Sequence, residues 1–352
     1  MLHWFDAHLD LAYLAERGRD LTLPPESCGG PDLPAAVTFP ALHEGNVTHC
    51  LATIFTEADG PTDQPQSYPA DDAEAANVAG RRQLARYAHW HKPHFYRAAA
   101  GLSRAPALPA QGGPAARPED APDFLILIEG ADPILDPGDL GQWRSDGVVA
   151  VGLAWWKRSR YAGGNGTSLG LTDLGRELVR EMDRLGVLHD ASHLSDAAFW
   201  ELCDASQDLI FASHSNCRAL VGGGGRFENQ RHLHDEQIQE IVRRGGVIGL
   251  NLYSKFLRPL AADDTTTRAS IADCVAHIEH ICNLAGGRAN IGLGSDMDGG
   301  FSAARMPEGI NHPRDLVKIA DALAARGWSD ADIRGFAFEN FARLLGVTNC
   351  SA

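Results

Sequence analysis

Residues 123–130 read DFLILIEG: an apolar run from Phe124 to Ile128 that stops at Glu129 and Gly130. A short apolar run of this kind, closed by glycine, reads as a buried strand. The carboxylate at its end must be hydrated, paired or bound to a metal. The same pattern recurs on both sides. Trp4–Asp10 (WFDAHLD) and His49–Thr56 (HCLATIFT) precede it. Val148–Leu153, Val187–Asp190, Leu209–Ser213, Gly246–Asn251 and Asn290–Gly294 follow, making eight candidate strands. Helical patterns fill several gaps. Thr172–Leu185 opens on a capping Thr-Asp pair and aligns Leu174, Leu178, Met182 and Leu185 on one face. Asp235–Arg244 begins acidic and ends basic, which suits the helix dipole. Further helices are predicted over Ser270–Leu284, Pro313–Arg326 and Ser329–Leu345. Strands alternating with helices predict a parallel sheet with right-handed crossovers. Eight such units predict a (β/α)8 TIM-type barrel with C-terminal helices; a doubly wound open sheet is the alternative.

The 352 residues accommodate such a barrel with insertions as one domain over residues 1–352. The Pro/Ala/Gly-rich stretch 105–122 reads as an insertion and the run Gly222–Gly225 as a loop, since no phosphate-binding pattern surrounds it. With 31 basic against 46 acidic side chains, the net charge of −15 argues against nucleic-acid binding. No run approaches the roughly 18 apolar residues of a membrane span, so no membrane partner is expected. Seven scattered cysteines without a CxxC pair disfavour both a disulfide framework and a thiolate zinc site. With an N-terminus unlike a signal peptide, they predict a cytoplasmic protein.

The strand ends carry the chemistry. The first strand ends in His8-Leu9-Asp10, whose outer two residues face the same way in an extended chain. The third ends in Glu129, the fifth is followed by His189-Asp190-Ala191-Ser192-His193, the sixth ends in Ser213-His214-Ser215, and the eighth in Ser295-Asp296. Each reads alone as a buried polar residue satisfied by a neighbour. Together, imidazoles and carboxylates at the carboxyl ends of barrel strands form a metal site, suited to zinc or to manganese, cobalt or iron. Three His and three carboxylates suit a pair of metals sharing a bridging carboxylate.

The motifs DAHLD, IEG, HDASHLS, FASHSN and GLGSDMDGG, with the tail GFAFENFARLLG, resemble those of the membrane (renal) dipeptidase family, within the amidohydrolase-type barrels, from residue 4 to about residue 347. The resemblance implies two Zn2+ ions, with His8 and Asp10 on one, Glu129 bridging, and His193 and His214 on the second. It makes His189 a structural neighbour and Asp296 the acid/base carboxylate. Arg231 would grip the substrate carboxylate, with Arg226 a rival because the alignment is loose there. Tyr253, Trp155 and Trp156 are candidate pocket walls. One departure matters: the family often has Leu-Thr-His where this chain has Leu153-Ala154-Trp155, and that His contacts substrate and helps polarise the scissile carbonyl. An indole N–H donates one hydrogen bond but carries no positive charge. The implied reaction is hydrolysis of a small dipeptide-like substrate, D-configured C-terminal residues included, by a hydroxide bridging the metals. Another metal-dependent amide or lactone hydrolase on the same barrel, and a non-catalytic metal-binding homologue, are the alternatives. The family often dimerises, and no surface patch in the sequence decides whether this chain is a homodimer.

Overall fold

The computed structural model describes residues 2–90, 120–221, 228–261 and 263–347. The insertion over 105–119, the run Gly222–Gly225 and Arg226 lie outside the described residues. Eight strands form one parallel sheet: β1 (Trp4–Leu9), β2 (Val47–Phe55), β3 (Asp123–Glu129), β4 (Val148–Gly152), β5 (Leu188–Asp190), β6 (Ile210–Phe211), β7 (Ile248–Leu250) and β8 (Ile291–Leu293). Their order is β6-β5-β4-β3-β2-β1-β8-β7. A parallel bridge between Ala212 and Ile248 joins the two ends of that list, so the sheet closes into the expected (β/α)8 barrel. All eight strands fall where the sequence predicts them.

Alternation along the strands builds two cores. On β3, Phe124, Ile126 and Ile128 pack outward against the helices, while Leu125 and Leu127 point into the barrel with Phe5, Leu51, Ala150 and Phe211. Glu129 continues this inward row at the carboxyl end of the strand. The lower end of the lumen is sealed by Phe338 and Phe341, whose ring centroids lie 6.0 and 5.9 Å from that of Phe5. Each fully buried Phe contributes about 1.5–3 kcal/mol.

Asp173–Leu185 is a helix with Thr172 as N-cap, its Oγ1 accepting from Gly175 N. Asp235–Arg243 and Ile271–Ala285 match their predictions, the latter closed by a reciprocal Ser270–Asp273 capping box. Two predictions need correction. Pro313–Leu316 is a 3-10 turn leading into the helix Val317–Ala325. The stretch predicted as one helix from Ser329 is α-helical over Asp330–Arg334, π-helical over Gly335–Glu339 and α-helical again over Asn340–Leu345. The wider π turn lets Phe336, Phe338 and Phe341 all reach the barrel. The 18-residue helix Ala73–Trp90 was not expected: its alanine-rich composition gives only a weak apolar stripe. Among the described residues no helix is long and apolar enough to cross a membrane.

Candidate active site

β1 delivers two side chains by breaking its own alternation. Phe5 and Ala7 belong to the inner core and Leu9 to the outer one. Strict period two would therefore turn His8 and Asp10 outward. The register between β1 and β2 shifts between Asp6 and Leu9, and this irregularity re-aims both into the barrel mouth. The buried Asp6 carboxylate holds the kink, accepting from His8 N at 3.2 Å, from Ser295 N at 2.8 Å and from Ser295 Oγ.

At the mouth, Glu129 is the hub. Its Oε2 lies 3.6 Å from His8 Nε2, and its Oε1 lies 3.1 Å from His193 Nε2 and 3.4 Å from His214 Nε2. Asp10 Oδ2 is 3.8 Å from His8 Nε2. The donor atoms of His8, Glu129 and His214 all fall within 4.8 Å of one another, as do those of His8, Asp10 and Asp296. The structure thus gathers all five expected metal ligands and Asp296, every one of them buried.

Neighbours fix each group. His193 Nδ1 donates to Asn165 Oδ1 at 3.0 Å, and His214 Nδ1 to Ser213 Oγ at 2.7 Å, leaving both Nε2 atoms bare towards the centre. Ser213 Oγ in turn donates to Asp190 Oδ2 at 2.6 Å. Thr53 Oγ1 donates to Asp10 Oδ1, and Asn251 Nδ2 to Asp296 Oδ2 at 2.8 Å. Of these supporting residues, Asp190 and Ser213 stand out in the sequence only as motif positions beside the histidines. The available signal is a polar residue at the inward carboxyl end of an otherwise apolar strand, as Thr53 stands in LATIFT and Asn251 in VIGLN.

The electrostatics follow. Burial disfavours charge on His8, but Glu129, Asp10 and Asp296 outweigh it and lift the pKa to about 10. Burial also opposes ionisation of Glu129, which the charge on His8 nevertheless holds well below the ordinary carboxylate range. Burial, with Arg231, brings His193 down to about 4 and keeps His214 neutral. Burial pushes the Asp296 carboxyl up to about 8, with Asp10 and Glu129 adding to the push and His8 and Arg231 opposing it.

A metal fits this donor set. The bare Nε2 atoms of His193 and His214 lie 3.0 Å apart, an unfavourable contact between two acceptors unless a cation lies between them and Glu129. Three buried carboxylates around His8 likewise select a cation, and a metal at His8 Nε2 replaces a proton. Oxygen and imidazole donors whose second nitrogens are tied down suit a divalent transition metal.

Comparison with known proteins agrees. Residues 2–351 match the membrane dipeptidase family (Peptidase family M19). The chain belongs to that family, whose members are metallodipeptidases. It is 30% identical over 231 residues to an uncharacterized protein in the pqqA 5′ region of Klebsiella pneumoniae, a match covering 63% of this chain and 80% of that one. It is 31% identical over 229 residues to an uncharacterized dipeptidase of Schizosaccharomyces pombe, covering 64% and 53%. To Dipeptidase aclJ of Aspergillus oryzae it is 32% identical over 177 residues, covering 50% and 39%. The match thus spans about half or less of the two fungal proteins. The fold is shared with a metallo peptidase of Rhodobacter sphaeroides liganded with a phosphinate mimic of L-Ala-D-Ala, at TM-score 0.76, 23% identity and 98% coverage of both chains. It is shared too with the probable dipeptidase PvdM of Pseudomonas aeruginosa, at TM-score 0.74, 19% identity and coverage of 98% and 95%.

In this chain the candidate metal-binding cluster opens on a cavity of about 390 Å³, large enough for a small peptide. Arg231, Trp155 and Tyr253 all line it. The Trp155 ring packs 4.9 Å from Phe55 and 5.9 Å from His193. Tyr253 stacks on Phe301 at 4.6 Å. Arg231 is 5% exposed; its Nη2 donates to His214 O at 2.8 Å and its Nη1 to Ser215 Oγ at 3.3 Å, while Nε has no partner. It makes no ion pair among the described residues. His189 stays outside the cavity, its Nε2 2.6 Å from Asp183 Oδ1, as its structural reading predicts.

Proposed function

We propose that this chain hydrolyses dipeptides with an L- or D-residue at the C-terminal position, using two zinc ions, and that residues 1–352 form a single barrel domain for this task. The observation that carries the reading is the convergence of His8, Asp10, Glu129, His193 and His214 on one point of the barrel mouth, beside Asp296 and the unpaired guanidinium of Arg231. His8 and Asp10 would hold one metal, His193 and His214 the other, with Glu129 between them. When bound, such a pair supplies Lewis acidity, which brings the pKa of a water towards about 7 and polarises a carbonyl.

The protein's own groups do the rest. Arg231, buried and without a carboxylate partner among the described residues, takes the substrate carboxylate, for which a guanidinium fork is suited. Its position on the cavity wall restricts substrates to short ones. Asp296 accepts the proton of the attacking water at one carboxylate oxygen and returns it to the leaving amine as the C–N bond breaks. Trp155 and Tyr253 flank the cavity with ring faces that exclude water from the reacting bond. A cytoplasmic setting accords with six free cysteines among the described residues.

The test is a panel of L-Xaa-L-Xaa and L-Xaa-D-Xaa dipeptides offered to protein of known metal content. Turnover of a subset supports the reading. Two bound metals without dipeptide turnover would move the substrate to another amide or a lactone.

A further inference from the structure

Asn251, at the end of β7, is fully buried and uses its polar groups in a fixed pattern. Its backbone N–H donates to Asn216 Oδ1 at 3.0 Å, and its carbonyl accepts from Asn216 Nδ2 at 3.0 Å. Asn216 Nδ2 also donates to Phe256 O at 2.9 Å. The Asn251 side chain accepts from Tyr253 N at 2.7 Å through Oδ1 and donates to Asp296 Oδ2 at 2.8 Å through Nδ2. No amide flip is open to this arrangement. A backbone N–H only donates, so Oδ1 must face Tyr253, and the NH2 end must face Asp296. The orientation of this one carboxamide is therefore dictated by the main-chain N–H of Tyr253, just after β7, and delivered to a side chain just beyond β8.

Asp296 needs such a constraint. Its backbone lies in the left-handed region at φ +58°, which a non-glycine residue rarely adopts. Its Oδ1 packs against the Cα of Gly299, where any β-carbon would collide with it and close in on Asp10 Oδ2. Oδ2 is occupied by Asn251, and Oδ1 faces the side of Asp10.

We infer that Asn251 is a positioning residue for the hydrolytic reaction: by engaging Oδ2 of Asp296 it leaves Oδ1 as the oxygen that accepts and returns the proton. The inference rests on the acid/base reading of Asp296 given above. Asn216 serves the same end one step further out, by locking the backbone of Asn251.

The experiment is a double-mutant cycle on the metal-loaded enzyme with the dipeptide it turns over best, using Asn251→Asp, Asn251→Ala, Asp296→Asn and the combination of Asn251→Ala with Asp296→Asn. Asn251→Asp retains the size of the side chain and the acceptor for Tyr253 N, but sets an oxygen against Asp296. The expected result is a kcat lower by about 100-fold in Asn251→Asp and Asn251→Ala, the scale of a misplaced reacting group, with KM within about 3-fold. Metal content and unfolding midpoint should stay near wild type in at least the aspartate variant. In the Asp296→Asn background, Asn251→Ala should produce no further loss, because both act through one carboxylate. A full additional loss in that background would overturn the inference and make Asn251 merely structural. So would a wild-type kcat in both Asn251 variants. Near-normal kcat in Asp296→Asn alone would sink the acid/base reading itself, and the inference with it.

Discussion

Asp296 is a buried carboxylate whose pKa burial raises, set beside His8 and Asp10 at the mouth. Asp296→Asn keeps its shape and its approach to Gly299 but ends proton transfer. Turnover should fall by about 100-fold or more while the metal content of the purified protein is unchanged. A near-normal kcat would remove Asp296 from the role. Arg231 makes a separable contribution. Arg231→Lys loses the bonds to His214 O and Ser215 Oγ and the planar fork, so KM should rise by about 10-fold or more, with a much smaller change in kcat. An equal fall in kcat alone would place Arg231 in the chemistry instead of the binding step. Asn165 acts one layer out, through Nδ1 of His193. Asn165→Ala should weaken metal retention by about 10- to 100-fold, measured as the chelator concentration that halves occupancy. Unchanged retention would mean that packing alone orients His193.

Among the secondary-structure elements, β1 shows what pattern reading does and does not reach. The sequence WFDAHLD places His8 and Asp10 on one side of a strand, and the structure agrees. It does so through an irregularity against β2 that alternation alone does not contain, since Phe5 and Ala7 share that side too. The carboxylate of Asp6, which holds the kink, reads in sequence as one more polar residue. Glycines at the strand ends are equally silent in the sequence. Gly249 on β7 and Gly294 just beyond β8 both press on the Ser213 carbonyl, so that a methyl group on either would collide with backbone rather than with a flexible side chain. Gly294→Ala should therefore destabilise the fold by about 3 kcal/mol, read as a lower denaturation midpoint with an unchanged m-value. A wild-type midpoint would show that β6 and β8 can separate without cost. The C-terminal helix was legible as apolar periodicity, but its π turn was not, because the shift in phase is set by where Phe336, Phe338 and Phe341 meet the barrel floor.

Over the whole molecule, the barrel mouth was legible because five of the eight strands run out into His, Asp or Glu at the same end, Glu129 most plainly. Those five ends in one closed sheet bring residues from 8 to 296 to one mouth, and the candidate metal ligands could be named from that regularity together with the family resemblance. The side chains that orient the ligands, Thr53, Asn165, Ser213 and Asn251, come from different strands and loops, so their contacts exist only once the barrel closes. Trp155 stands where the family often carries a histidine; the structure puts its ring on the cavity wall against Phe55 and His193, leaving the candidate metal ligands gathered beside it. The central claim is that this mouth is a metal-dependent dipeptide hydrolase, and the most direct measurement is dipeptide turnover as a function of metal occupancy, through chelation and restoration with zinc. The account predicts turnover that disappears with the metal and returns in full as about two zinc ions per chain are restored. Turnover that persists after the metal is removed, or a chain that binds no metal, would contradict it.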